Sequence, residues 1–248
     1  MDASFVFFNL FSIIYFFLII ITFLYKVTEN GQSALILAVK SRNFNIVSNL
    51  LEHGADVNLT PNSYNWQAID FAFQDLASSL RNNESDATAR QSEIIKELLE
   101  HGADVKGLLI YVLERCSLNF VETVLGYPID INFATNYWKR TALMAAAEGN
   151  RETVIEVLVQ HNASVDQKDN YGQTALYKAA LKGNSRAVLA LLKHNANATI
   201  KNDGDTTPLM IAAMKGRREV VRVLLSNVDF SSWEKSIALG ILPFIMGG

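Results

Sequence analysis

The sequence has little of what covalent or metal chemistry needs. Its 248 residues include one cysteine, Cys116, four prolines and four histidines. A single cysteine excludes a disulfide framework within the chain and any thiolate metal cluster. A buried place on a helix accounts for Cys116 more simply than nucleophilic chemistry does. There is no phosphate-cradling glycine loop, no H-E-x-x-H, no G-x-S-x-G and no paired C-x-x-C. The chain is therefore read as non-enzymatic, with no catalytic residue and no cofactor. An excess of one charge is also lacking. Lys and Arg total 22 against 25 Asp and Glu, a net charge of −3. That gives no general affinity for nucleic acid, although local basic patches stay open. Glu97, Glu100, Glu152 and Glu156 read as solvated charge on outward helix faces rather than as acid/base pairs.

What the chain has in abundance is repetition. TALMAAAEGNRETVIEVLVQHNA begins at Thr141, TALYKAALKGNSRAVLALLKHNA at Thr174 and TPLMIAAMKGRREVVRVLL at Thr207, so the period is 33 residues (174 − 141 and 207 − 174). Ala175, Ala179 and Ala180 allow helices to approach closely around Leu176, and Ala187, Val188, Leu191 and Leu192 recur at helical spacing. Neither helix of such a unit can bury its face alone, so neighbouring units must stack. LLEHGA at 50–55 and 98–103 puts Gly54 and Gly102 where a chain leaving a helix needs a left-handed residue, and Asn162 and Asn195 take that slot later.

On these residues the chain resembles the ankyrin-repeat family. Thr207-Pro208-Leu209 comes closest to that family's T-P-L-H-x-A signature, with Met210 in the histidine slot. The resemblance implies an all-α solenoid of about six helix-turn-helix units with β-turn or hairpin connections, at 28–58, 59–105, 106–132, 133–166, 167–199 and 200–230. The first opens with a turn at Asn30-Gly31, and its second helix carries Ile46, Val47, Leu50 and Leu51. The second starts at Trp66 and holds a polar stretch near 80–92, read as a mobile insertion between its two helices. Residues 106–132 form a degenerate repeat that keeps two apolar stripes. The histidines His53, His101, His161 and His194 share one slot, just before the helix-ending Gly or Asn. Stacked units would place them about 10 Å apart, whereas zinc ligands lie at about 2 Å, so no metal site is assigned. A role at the helix C-termini fits better.

The other strong signal is Phe5–Tyr25, which carries no charge across 21 residues. At about 1.5 Å per residue it reaches roughly 31 Å, enough to cross a bilayer core. Residues 1–26 are read as a retained transmembrane helix. A cleaved signal peptide is the rival, disfavoured by Asp2, by the lack of Lys or Arg before the run and by the lack of a small-x-small cleavage site. Lys26, Lys40 and Arg42 follow the run, which places the repeats in the cytoplasm. At the other end, 231–248 is an apolar tail that caps the last repeat, meets a membrane or partner, or is cut short.

By resemblance to the family, a partner protein meets the turn tips and the exposed residues near the end of the first helix. The positions that align are Tyr137, Trp138 and Arg140; Asn170, Tyr171, Gln173, Leu181 and Lys182; and Asp203, Thr206, Met214 and Lys215. Tyr, Trp and Arg are the residue types that dominate interface energetics. Lys139 and Asp205 stand where the turn glycine is expected, which predicts reshaped tips. N-x-S/T sequons at Asn58, Asn83, Asn162 and Asn197 coincide mostly with ordinary repeat slots. The function expected is a membrane-tethered scaffold that binds another protein non-covalently. A secreted ankyrin-repeat effector or inhibitor, and a regulatory fragment of a larger enzyme, are the alternatives.

Overall fold

The computed structural model describes residues 32–60, 66–81, 85–105, 109–135 and 137–232, with positions 235, 236 and 240. These residues form twelve α-helices and no strand. They fall into two compact units, 1–105 and 106–248, divided where the repeat's opening signature is missing.

The first unit holds α1 (Ala34–Lys40), α2 (Phe44–Glu52), α3 (Ala68–Arg81) and α4 (Ser85–Glu100). The second holds α5 (Leu109–Arg115), α6 (Leu118–Leu125), α7 (Ala142–Glu148), α8 (Glu152–Gln160), α9 (Ala175–Lys182), α10 (Ser185–Lys193), α11 (Pro208–Met214) and α12 (Arg218–Asn227). In the second unit the first helices of each pair (α5, α7, α9 and α11) pack in one row, and their partners (α6, α8, α10 and α12) in another. The rows approach closely because small residues line the seam. Ala142, Ala145, Ala146 and Ala147 of α7, Ala179 and Ala180 of α9, and Ala212 and Ala213 of α11 are all buried.

The helix boundaries follow from local chemistry. The hydroxyls of Thr141, Thr174 and Thr207 accept the N–H of Met144, Tyr177 and Met210 at 3.2, 3.2 and 3.3 Å, capping the first helix of three successive repeats. The second helices end on a left-handed residue: φ is +83° at Gly54, +80° at Gly102, +65° at Asn162 and +61° at Asn195. There the next N–H turns back to the carbonyl five residues earlier, as at Ala163 to Leu158 (3.0 Å) and Ala196 to Leu191 (3.0 Å). The histidines serve these ends. Nδ1 of His53, His101 and His161 donates to the carbonyl four residues back, at 2.7, 2.9 and 2.9 Å.

Side chains at one repeat position fasten each unit to the one before it. Arg151 donates to the carbonyls of Leu113 and Cys116 (2.5 and 2.7 Å), Asn184 to those of Ala147 and Glu148 (2.9 and 2.8 Å), and Arg217 to that of Leu181 (3.2 Å). Each covers carbonyls orphaned at the end of a first helix. Asn58 works similarly in the first unit: its amide donates to the Gly102 carbonyl (3.0 Å) and accepts from the Asp104 N–H (2.9 Å). That sequon asparagine is part of the inter-repeat fastening.

Several expectations need correction. The mobile insertion near 80–92 is not a loop across its described part. Residues 80–81 end α3 and 85–92 begin α4, so the extra length extends both helices of the pair. The reason is burial: Gln91, read as a loop residue, is fully enclosed and donates Nε2 to the Ala72 carbonyl at 3.1 Å. Of the tips at Lys139 and Asp205 only the first is reshaped. Both residues adopt the left-handed backbone of Gly172, with φ of +53° and +55° against +69°. The Asp205 tip closes as the Gly172 tip does, by Asn202 N–H to the Thr206 carbonyl (3.1 Å), whereas the Lys139 tip closes one residue wider, by Thr135 N–H to the Arg140 carbonyl (3.0 Å). The connections are turns without strands among the described residues. Ile46, placed in the apolar stripe of α2, is exposed, whereas Val47 and Leu51 are buried. The run Phe5–Tyr25, the Asn30-Gly31 turn and most of the tail after 231 lie outside the described residues. Among the described residues no helix is long and apolar enough to cross a membrane. Phe230, just before the tail, is buried.

Candidate recognition surface

Two turn tips of the second unit are shaped by short polar side chains, one buried and one half-buried. Asp169 is almost wholly enclosed, and its Oδ1 accepts the N–H groups of Tyr171 and Gln173, both at 2.9 Å. One repeat on, Asn202 accepts from Gly204 (3.1 Å) and Thr206 (2.9 Å) in the same way. A short polar side chain reaching its own backbone two and four residues ahead forces the chain to reverse. The tips are joined in series: the Asn170 N–H donates to the Trp138 carbonyl (3.1 Å) and the Asp203 N–H to the Tyr171 carbonyl (3.0 Å).

This backbone displays an aromatic ladder. Trp138 and Tyr171 stack with ring centroids 5.7 Å apart and an interplanar angle of 21°, and Tyr137 meets Trp138 edge-on at 4.9 Å and 72°. The rings touch one another, yet Tyr137 is 76% exposed, Trp138 50% and Tyr171 49%. The ladder is fixed from behind. Asn170 donates its amide to the Tyr137 carbonyl at 2.7 Å, and Gly172 leaves no room for a side chain against the Asp203 backbone.

Of the residues singled out by sequence, Tyr137, Trp138, Asn170, Tyr171 and Asp203 lie exposed at the joined tips. Gln173 and Thr206 are half-buried and close the turns, their carbonyls accepting from Asp169 (3.0 Å) and Asn202 (3.1 Å). Leu181, half-buried, and Lys182, Met214 and Lys215, exposed, form a second group at the far ends of α9 and α11. Arg140, half-buried, differs from the rest because its guanidinium is engaged within the protein. Nη2 and Nε bind Glu148 Oε2 at 2.6 and 3.1 Å.

That ion pair is part of a network the sequence did not reveal. Glu148 also faces Lys178 Nζ at 3.6 Å, and Lys178 reaches Asp169 Oδ2 at 2.8 Å. The order Arg140–Glu148–Lys178–Asp169 alternates in sign and links two repeats to the base of the ladder. The one available signal was compositional: Lys178 stands where the neighbouring repeats have Ala145 and Ile211. Beside it Tyr177 is buried. Its hydroxyl accepts from Asn202 Nδ2 at 3.3 Å, and burial, with the Asp169 charge second, raises its pKa. Cys116 lies apart from this surface, its thiol pushed up to about 11 chiefly by burial, which Arg151 partly opposes.

Comparison with known proteins agrees with this architecture. A family model described as ankyrin repeats (three copies) matches residues 5–107, 108–202 and 170–233. The crystal structure of an ankyrin repeat domain from Acinetobacter baumannii AYE is similar at 23% identity and a TM-score of 0.64, over 78% of this chain and 96% of that one. The ankyrin repeat protein EF0377 is similar at 22% identity and a TM-score of 0.64, over 82% of this chain and all of that one. No curated protein matches the sequence. Repeats at a 33-residue period, capped and stacked as described and matched by the family model over most of the length, place this chain in the ankyrin-repeat family.

Proposed function

We propose that this protein is a membrane-tethered scaffold that binds a partner protein non-covalently through the turn tips of its second unit. One observation carries the reading: the rings of the Tyr137–Trp138–Tyr171 ladder touch one another yet stay 49–76% exposed on a backbone cross-linked by hydrogen bonds. Rigid aromatic side chains lose little freedom on binding and bury large areas, so they serve as anchors. Site-specific photocrosslinkers at positions 137 and 170 of the full chain, used in its native cells, test this. A discrete crosslinked protein should appear, and its yield should fall at least tenfold in a Trp138→Ala/Tyr171→Ala background. Loss of the stack alone costs stability only about 0.5–1.5 kcal/mol, so thermal unfolding should shift by a few degrees at most. A collapse of stability would make the rings structural instead.

Tethering through Phe5–Tyr25, with the repeats cytoplasmic, is supported by the uncharged run and the lysine that follows it. Arg42 gives this orientation less support, since it is bound bidentately to Asp75 at 2.6 and 2.6 Å. Carbonate extraction, protease protection of sealed vesicles and sequencing of the mature N-terminus decide the matter. Cleavage near residue 25 would replace the tethered scaffold by an exported one.

A further inference from the structure

The chain's charge is segregated. Residues 178–222 hold nine Lys and Arg against three Asp and Glu, which leaves 13 against 22 elsewhere (22 − 9 and 25 − 3). Within that stretch the turns after α9 and α11 form one basic ridge. Arg217 joins them, because its Nε donates to the Leu181 carbonyl at 3.2 Å and its side chain lies over Gly183, where an added Cβ would come within 2.8 Å of Cδ. Lys182, Lys215, Arg217 and Arg218 are all exposed. None forms an ion pair among the described residues, and nearby Glu219 is engaged by Arg222 at 2.7 Å.

Helix physics rewards only part of this arrangement. Lys182 and Lys215 sit at C-terminal ends, where the dipole favours a cation by about 0.3–1 kcal/mol. Arg217 covers an orphaned carbonyl. Arg218 is the first residue of α12, where the same dipole opposes it, and it completes three cations within four consecutive residues. Next to the cations stand apolar side chains in register: Leu181 before Lys182, and Met214, 54% exposed, before Lys215.

We propose that this ridge docks an acidic polypeptide segment with regularly spaced apolar residues, supplied by the partner that the aromatic ladder anchors. The proposal rests on the protein-binding reading and names the partner's chemistry. A nucleic acid would offer phosphates to the cations but no apolar group to Met214 and Leu181. A lipid surface would offer no spaced carboxylates. A polypeptide supplies both. Successive repeats lie about 10 Å apart, which is about three residues of extended chain at about 3.3 Å each. The matching pattern is therefore one apolar residue in every three, with carboxylates between.

The test uses the full chain in mild detergent and four probes. These are a fluorescent 12-residue peptide of Leu-Glu-Glu repeats, its Leu-Gln-Gln counterpart, a 20-base-pair DNA duplex, and mixed micelles with or without phosphatidylserine. The Leu-Glu-Glu peptide should bind at least tenfold tighter than the Leu-Gln-Gln one, and its affinity should fall as salt rises. Lys215→Glu/Arg218→Glu, which leaves Arg217 in place, should weaken it roughly tenfold through two lost exposed pairs and the repulsion replacing them, with circular dichroism unchanged. Met214→Ser should weaken it at all salt concentrations. Equal binding of the two peptides, an unaffected charge-reversal variant, or tighter binding of the duplex or of phosphatidylserine micelles would each overturn the acidic segment. The protein-binding reading fails separately. If no peptide binds but Trp138→Ala/Tyr171→Ala still abolishes crosslinking, the ladder stands without the ridge; if crosslinking is also unchanged, both fall.

Discussion

Replacing Lys178 by Met tests whether the charge network holds the tips in place. The change keeps the length of the side chain and removes the cation 2.8 Å from Asp169 Oδ2. The carboxylate left behind has only 2% of its side chain exposed, so water cannot replace the lysine. Removing one partner of a buried pair costs about 3–5 kcal/mol. Here the N–H groups of Tyr171 and Gln173 still bind Oδ1, and Lys178 itself is slightly exposed. A loss of about 2–3 kcal/mol is the fitting magnitude. Asp169→Asn should cost only about 1 kcal/mol, because an amide oxygen can accept the same two N–H groups. Asn202 already does so one repeat later. The double variant buries a neutral pair and should lose about 1 kcal/mol in all, so the double-mutant cycle returns about 2–3 kcal/mol of coupling. Urea unfolding of the three variants by circular dichroism measures it. Additivity within about 0.5 kcal/mol would show that the pair is not coupled, and that the tip is held by its backbone bonds alone.

Gly172→Asn should destabilise by about 1–3 kcal/mol, as overpacking does, since a Cβ there would lie 2.8 Å from the Asp203 backbone nitrogen. Gly183→Asn should cost far less, because it meets only the movable Arg217 side chain; equal effects in urea unfolding would refute the distinction. Lys139→Gly should stabilise slightly, by about 0.5 kcal/mol, by relieving a left-handed backbone in a residue with a Cβ; a measurable loss of stability would count against this. Cys116 should resist iodoacetamide in the native protein at pH 8 and label on unfolding, since its thiol is buried and its pKa raised to about 11. The folded state holds that proton more tightly than the unfolded one, so stability should be lost as pH rises from about 9 through about 11. Cys116→Ala should flatten that slope. Asp70, raised chiefly by burial, acts in the same sense in the acidic range. Its ionisation opposes folding, so Asp70→Asn should remove a component of stability that grows as pH falls toward the acidic range.

Much of this was legible in the sequence because it depends on neighbours along the chain. Thr141, Thr174 and Thr207 cap helices through N–H groups three residues away, and Gly54, Gly102, Asn162 and Asn195 end them through their own φ. A 33-residue period then implies that equivalent positions become neighbours when the units stack. That is why Trp138 and Tyr171 could be named together before their rings were known to touch. The errors have equally local causes. Residues 85–92 looked like a polar loop because polarity along the chain says nothing of an enclosed Gln91. Asp205 looked disruptive, yet it takes the left-handed backbone that Gly172 takes and its tip closes in the same way, whereas the tip of Lys139 is one residue wider.

The sequence by itself determined the family, the helix pairs, their ends and the side chains eligible for recognition. Tertiary structure alone decided which of those are available. Arg140 and Tyr171 were equal candidates, but Arg140 is engaged by Glu148, while Tyr171 stays half in solvent. Likewise only packing could place Lys178 against Asp169, or carry Arg217 over Gly183 to join two turns into one ridge. The physical reason is one of range. Caps and turns are settled within about five residues, a distance pattern can encode. Ion pairing and exposure depend on what the neighbouring repeat presents, and one missing or added charge there changes them without altering the period.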